Sequence, residues 1–170
     1  MPPSDGYLLD TNIASAVWDA QSPIHESVRS RLASSAALIY VSSVSIGEGE
    51  YGLGVSPAID AERHRLYRAA MDEYVILPIE KHTAQTFGRI RAGLFQRYAT
   101  RGRRGRLKEK YVEDLVDSTT GKELGIQEND LWIASTAVEY NLILATFDKA
   151  GGMRRIVDVA SYTERTEFWT

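Results

Sequence analysis

The chain has 170 residues and no cysteine, which suits one domain with a real hydrophobic core and excludes thiolate metal sites, catalytic thiols and disulfides. It carries 20 Lys and Arg against 23 Asp and Glu, a net charge of −3, so affinity for a polyanion has to come from a local basic patch. The start, Met1-Pro2-Pro3-Ser4-Asp5-Gly6, has neither a basic region nor an apolar run, and no later run could span a bilayer; a cytoplasmic protein is the expectation.

In chain order, Tyr7-Leu8-Leu9 is a short buried strand stopped by Asp10. Thr11 or Asn12 is the expected cap of a helix through Ile13 and Trp18. Ser22-Pro23 predicts a cap followed by a proline in the first helical position, with Ile24, Val28 and Leu32 as one apolar stripe closed by Ser34-Ser35. Ala37 to Val41 is a second strand. Ser42-Ser43 caps a helix bearing Glu48 and Glu50, whose Gly47, Gly49, Gly52 and Gly54 lower its propensity and suggest close approach by another backbone or a ligand. Ser56-Pro57 predicts the next helix, with Ile59, Leu66, Tyr67 and Ala70. Tyr74 to Leu77 is a third strand, stopped by Pro78.

A long amphipathic helix from Ile79 to about Tyr98 should bury Ala84, Phe87, Ile90, Leu94 and Tyr98. The stretch 100–125 then has few core residues and the basic run Arg101, Arg103, Arg104, Arg106, Lys108 and Lys110, and is read as a flexible insertion. Leu131 to Val138 is apolar on nearly every face, a buried helix. Leu142 to Thr146 is a fourth strand, and Ile156 to Val159 is read as a last edge strand. The alternation predicts a single α/β domain over 1–170, three layers (α/β/α) around a mainly parallel central sheet.

Four acids fall at comparable places: Asp10 after the first strand, Glu48 in the helix after the second, Asp130 at the start of a buried helix, and Asp148 after the fourth strand. Each has an ordinary explanation alone, as a cap, a solvated helix charge, a helix-dipole partner or a turn residue. Together they line one edge of a parallel sheet, where like charges repel unless a cation binds. Oxygen donors without His or Cys favour magnesium or manganese over zinc, and His25, His64 and His82 have no ligand spacing. Glu48 and Glu50 are two apart, so at most one enters the cleft.

The stretches Leu8-Leu9-Asp10-Thr11-Asn12, Ser45 to Gly52, Glu128 to Ala134 and Leu144 to Asp148 resemble, in this order, the PIN-domain family, most of all the VapC-type toxins of toxin–antitoxin pairs. Through that resemblance Asp10, Glu48 and Asp130 match the three core acids and Asp148 the more variable fourth. Glu48 is preferred over Glu50 by its distance from Gly52. The resemblance implies a PIN-like fold and a magnesium- or manganese-dependent endoribonuclease, often a homodimer, silenced by an antitoxin protein. It implies that the four acids are catalytic and hold metal, with Thr11, Asn12 and Thr146 supporting them or contacting phosphate. Arg101, Arg103, Arg104 and Arg106 are candidates for the RNA backbone, or else a solvated loop. Two departures stand out: the family's aromatic four residues after the fourth acid is here Gly152, and the 100–125 segment is long.

Two other readings stay open: a housekeeping PIN nuclease of RNA processing, and a non-catalytic RNA- or protein-binding module with a decayed site. A haloacid-dehalogenase-type phosphatase is weakened by Asn12, which stands where that chemistry wants a second acid.

Overall fold

A computed structural model of the chain describes residues 6–56 and 60–169. Strands β1 (Tyr7–Leu9), β2 (Ile39–Ser42), β3 (Val75–Leu77), β4 (Ile143–Thr146) and β5 (Thr166–Phe168) form one sheet in the order β3-β2-β1-β4-β5, parallel throughout. Parallel neighbours need crossovers. These are supplied by α1 (Thr11–Trp18), α2 (His25–Ala33), α3 (Ser43–Gly54), α4 (Ala61–Asp72), α5 (Lys81–Tyr98), α6 (Glu128–Tyr140) and α7 (Gly152–Val159). The chain builds outward from β1 to β3, then returns to place β4 on the other side of β1. The order therefore reverses between β1 and β4, the switch point at which open α/β sheets leave a crevice beyond the strand ends.

Successive side chains of a strand face opposite ways, so both faces of β1 are apolar. Leu8 joins Phe87, Ile90, Leu94, Leu131 and Ile156 beneath α5, α6 and α7. Leu9 joins Ile13, Val28, Leu53 and Tyr67 beneath α1 to α4. Each fully buried leucine contributes roughly 1.5–3 kcal/mol. The two cores make the three expected layers. No helix among the described residues is long and apolar enough to cross a membrane.

Several local expectations are corrected. Asp10, not Thr11 or Asn12, caps α1, its carboxylate accepting from the Ile13 amide. The second helix starts at His25 rather than Pro23. Asp60 caps α4, and Pro57 and Ile59 lie outside the described residues. In α5 the buried stripe runs through Thr83, Thr86, Phe87, Ile90, Leu94 and Phe95, leaving Ala84 exposed. The threonines enter because Thr86 donates to Glu139 and Thr83 accepts from the Glu80 amide. Ile156 to Val159 is not a strand but the end of α7, where Met153, Ile156 and Val157 are buried at helical spacing; β5 lies further on. Close approach among the α3 glycines occurs at Gly49, where a Cβ would lie 2.6 Å from the Tyr67 ring. The 100–125 segment supplies Val112, Leu115 and Leu124 to the core beneath α5 to α7.

Candidate active site

Asp10 follows β1 directly, and its amide donates to the Ala145 carbonyl (2.9 Å), extending the β1–β4 ladder by one bond. Its side chain is buried, 5% exposed. Oδ1 accepts from the Ile13 amide (2.9 Å); Oδ2 accepts from the Phe147 amide (3.1 Å) and from the Thr146 hydroxyl. Burial pushes the carboxyl above its usual range, and the bonds from Thr146, Ile13 and Phe147 oppose that rise. Thr146, fully buried at the end of β4, thus ties the two central strands together at the acid.

Asp130 occupies the first turn of α6 and is half-buried. Its carboxyl is pushed up to about 7, first by desolvation and then by the charges of Asp10, Glu48 and Asp148. Among the described residues it is the one of the four acids that no protein donor serves in a hydrogen bond.

Glu48 is held from both sides. Thr11 Oγ1 donates to Oε2, and Asn129 Nδ2 donates to Oε1 at 2.9 Å. Thr11 Oγ1 also lies 3.0 Å from Ser45 Oγ. Glu50 turns the other way, 3.3 Å from Arg68, as two-residue spacing on a helix requires. Asp148 folds back onto the start of α7: Oδ1 accepts from the Gly151 amide and Oδ2 from the Arg154 amide, each 2.8 Å.

Asp10, Asp130, Asp148, Asn12 and Thr146 line one cleft of about 600 Å³ at the switch point. Thr11 and Glu48 line a smaller recess of about 210 Å³, which shares Ser15 and Asp19 with the first. The arginine run is not brought into this cleft. Arg101 and Leu107 close a small antiparallel turn in which Gly102 and Arg106 share a 2.8 Å backbone bond, and all four arginines are exposed.

Does a divalent cation fit? Among the described residues no three acidic side chains stand at ready ligand spacing. The donor set nonetheless suits a hard cation. A carboxylate offers about four lone-pair sites, so Glu48 and Asp148 each keep capacity after their two bonds, Asp10 keeps some on Oδ1, and Asp130 keeps all of its own. A half-buried acid beside three like charges and without a donor is one whose repulsion a cation would relieve.

The sequence matches the family model described as PIN domain over residues 7–158, which takes in all four acids. The chain belongs to the PIN-domain family. No curated protein matches it significantly. Among solved structures it is similar to VapBC2 from Rickettsia felis, bound to a DNA fragment from its promoter: 20% identity, TM-score 0.63, covering 96% of this chain and 98% of that one. It is also similar to VapBC-5 from Mycobacterium tuberculosis, a member of the VapBC family of toxin–antitoxin systems (21%, TM-score 0.55, 98% of each chain). A third is VapC20 from Mycobacterium tuberculosis, a sarcin–ricin loop cleaving toxin (14%, TM-score 0.54, 93% of this chain and 95% of that one). At these identities the likeness is one of fold.

The PIN-domain frame gives Gly152 a physical reason. A Cβ there would lie 1.9 Å from the Gly125 carbonyl oxygen, so the end of the 100–125 segment occupies the space of any larger side chain. Asn129, by contrast, stands inside a matched stretch, yet sequence reasoning gives it no role. Its only signal is adjacency to Asp130; its bond to Glu48 spans 81 positions and is visible only in the fold.

Proposed function

We propose that this PIN domain is an endoribonuclease dependent on magnesium or manganese, acting as the toxin of a toxin–antitoxin pair. The observation that carries the reading is Asp130: half-buried, without a protein donor, and raised to about 7 beside Asp10, Glu48 and Asp148. Asp10, Glu48, Asp130 and Asp148 would hold the cation, which when bound polarises a phosphate and activates water. Asp10 is fixed for that task by Thr146 and by the Ile13 and Phe147 amides, and Glu48 by Thr11 and Asn129. Asp130, its carboxyl raised to about 7, is only partly protonated near neutral pH and would give up that proton when positive charge arrives. Asn12, exposed at the cleft, can offer its amide to a phosphate oxygen. The exposed run of Arg101, Arg103, Arg104 and Arg106 lies outside the cleft and suits sequence-independent backbone contact further along the RNA.

The toxin assignment is supported by the VapBC and VapC20 likenesses, and with it we expect an antitoxin partner and a homodimer. The deciding experiment is cleavage of mixed RNA by the purified chain with magnesium, with EDTA, and with Asp130→Asn. EDTA-sensitive cleavage lost in the variant supports the reading; a chain that cleaves equally well in EDTA, or not at all, refutes it.

A further inference from the structure

The cleft is lined by four carboxylates, Asp10, Asp19, Asp130 and Asp148, and among the described residues by one cation, Lys149. Of the charged groups among the described residues that line the cleft, the carboxylates repel an entering polyanionic strand and Lys149 alone attracts it. Lys149 is exposed and has no ion-pair partner among the described residues, so its charge is not already neutralised. Its ammonium lies 5.0 Å from the centre of the Phe147 ring. The amide of that same Phe147 donates to Asp10 Oδ2 at 3.1 Å, so one residue joins the acid and the cation.

The loop carrying Lys149 is braced as well. Asp148 accepts from the Gly151 and Arg154 amides, closing the turn from β4 into α7. Gly125 packs against Ala150 and Gly152, closing its other side. A lysine on a braced turn loses less freedom on binding than one on a loose loop. The arginines of 101–106 are exposed outside the cleft and cannot replace it there.

We infer that Lys149 binds a backbone phosphate of single-stranded RNA inside the cleft, and that this contact seats the scissile bond beside the acids. This rests on the nuclease reading above. Asp148 then has a second task, to hold the turn that presents Lys149. Lysine binds phosphate as a point charge, and arginine, always charged and able to pair with phosphate, should replace it.

The test is cleavage of a labelled single-stranded oligoribonucleotide at fixed magnesium over a potassium chloride series, with wild type, Lys149→Ala and Lys149→Arg, each checked by thermal melting. Lys149→Ala should raise KM about fivefold, the scale of one exposed charge contact, with a much smaller effect on kcat. The slope of log kcat/KM against log salt should flatten by about 0.7, the share of one phosphate contact to a single strand. Lys149→Arg should restore both. If wild type cleaves while Lys149→Ala keeps its KM and salt slope, this inference fails and the nuclease reading stands. A wild-type chain with no cleavage removes both.

Discussion

Asn129 and Glu48 are joined by a 2.9 Å hydrogen bond that fastens the first turn of α6 to the glycine-rich α3. A helix with four glycines in twelve residues has little intrinsic stiffness, so Glu48 owes its direction to Asn129 and Thr11 rather than to its own backbone. Asn129→Ala should therefore lower cleavage about tenfold, the usual effect of losing a group that orients a metal-binding side chain. Glu48→Gln should lose at least about 100-fold. Glu50→Gln, on the Arg68 side, should stay within about twofold, since exposed ion pairs contribute little. Steady-state RNA cleavage by the three variants checks the order, and a larger loss at Glu50 than at Glu48 would reverse the assignment.

Gly152 and Gly125 give a stability prediction. A methyl group added at Gly152 would stand 1.9 Å from the Gly125 oxygen, so Gly152→Ala must displace backbone, and overpacking of this kind costs about 1–3 kcal/mol or more. The melting temperature should fall by roughly 3–10 °C. Gly47→Ala is the matched control: it is in a helix with nothing within 4 Å of its Cβ position and should stabilise by about 0.5–1 kcal/mol. Equal melting of Gly152→Ala and wild type would show that the two segments are not in contact.

The shared cleft of Asp10, Asp130 and Asp148 was legible in the sequence because strand ends and helix starts are local features that a parallel sheet gathers on one edge; Glu48, in the middle of α3, lines the adjoining recess instead. The role of Asp10 as its own helix cap was not, since Thr11 and Asn12 are equally good capping residues and only the backbone decides between them. The Ile156 to Val159 run misled because four apolar-rich residues suit a strand as well as a helix turn. Its helical period shows only when Met153 is counted with it. Gly152 stood out as a departure from the family pattern, but its reason lies 27 positions upstream, across a contact that no spacing rule describes.

Asp10→Asn and Asp130→Asn should each abolish cleavage while keeping the fold. The two differ in metal-free stability. Asp10 accepts three hydrogen bonds, one from the Thr146 hydroxyl, and an amide nitrogen at either oxygen position would face a donor. Asp130 has no such donors among the described residues, so its amide loses nothing. In EDTA near neutral pH, Asp130→Asn should melt higher than Asp10→Asn. Circular dichroism melts beside the cleavage assay read both, and wild-type turnover by either variant would remove it from the site.

The last prediction concerns pH. Asp130 titrates near 7 in the folded chain against about 3.9 when unfolded, so across that interval the folded state holds the proton and the unfolded state has lost it. Stability linked to this group is present in full below about pH 4 and is lost as pH rises toward 7; above 7 the loss is complete. A shift of this size corresponds to a few kcal/mol at most, on the order of 3, and Asp10, also raised, adds in the same direction. Metal-free protein should thus melt lower at pH 8 than at pH 5, and Asp130→Asn should flatten that dependence. Magnesium binds the folded state, so it should raise the melting temperature progressively with concentration at pH 8 and much less at pH 5, where protons compete for the same carboxylates. Melts of wild type and Asp130→Asn at both pH values, each with EDTA and with magnesium, decide it. A wild-type melting temperature that is higher at pH 8 than at pH 5 in EDTA and indifferent to magnesium would mean that the four acids do not share one field.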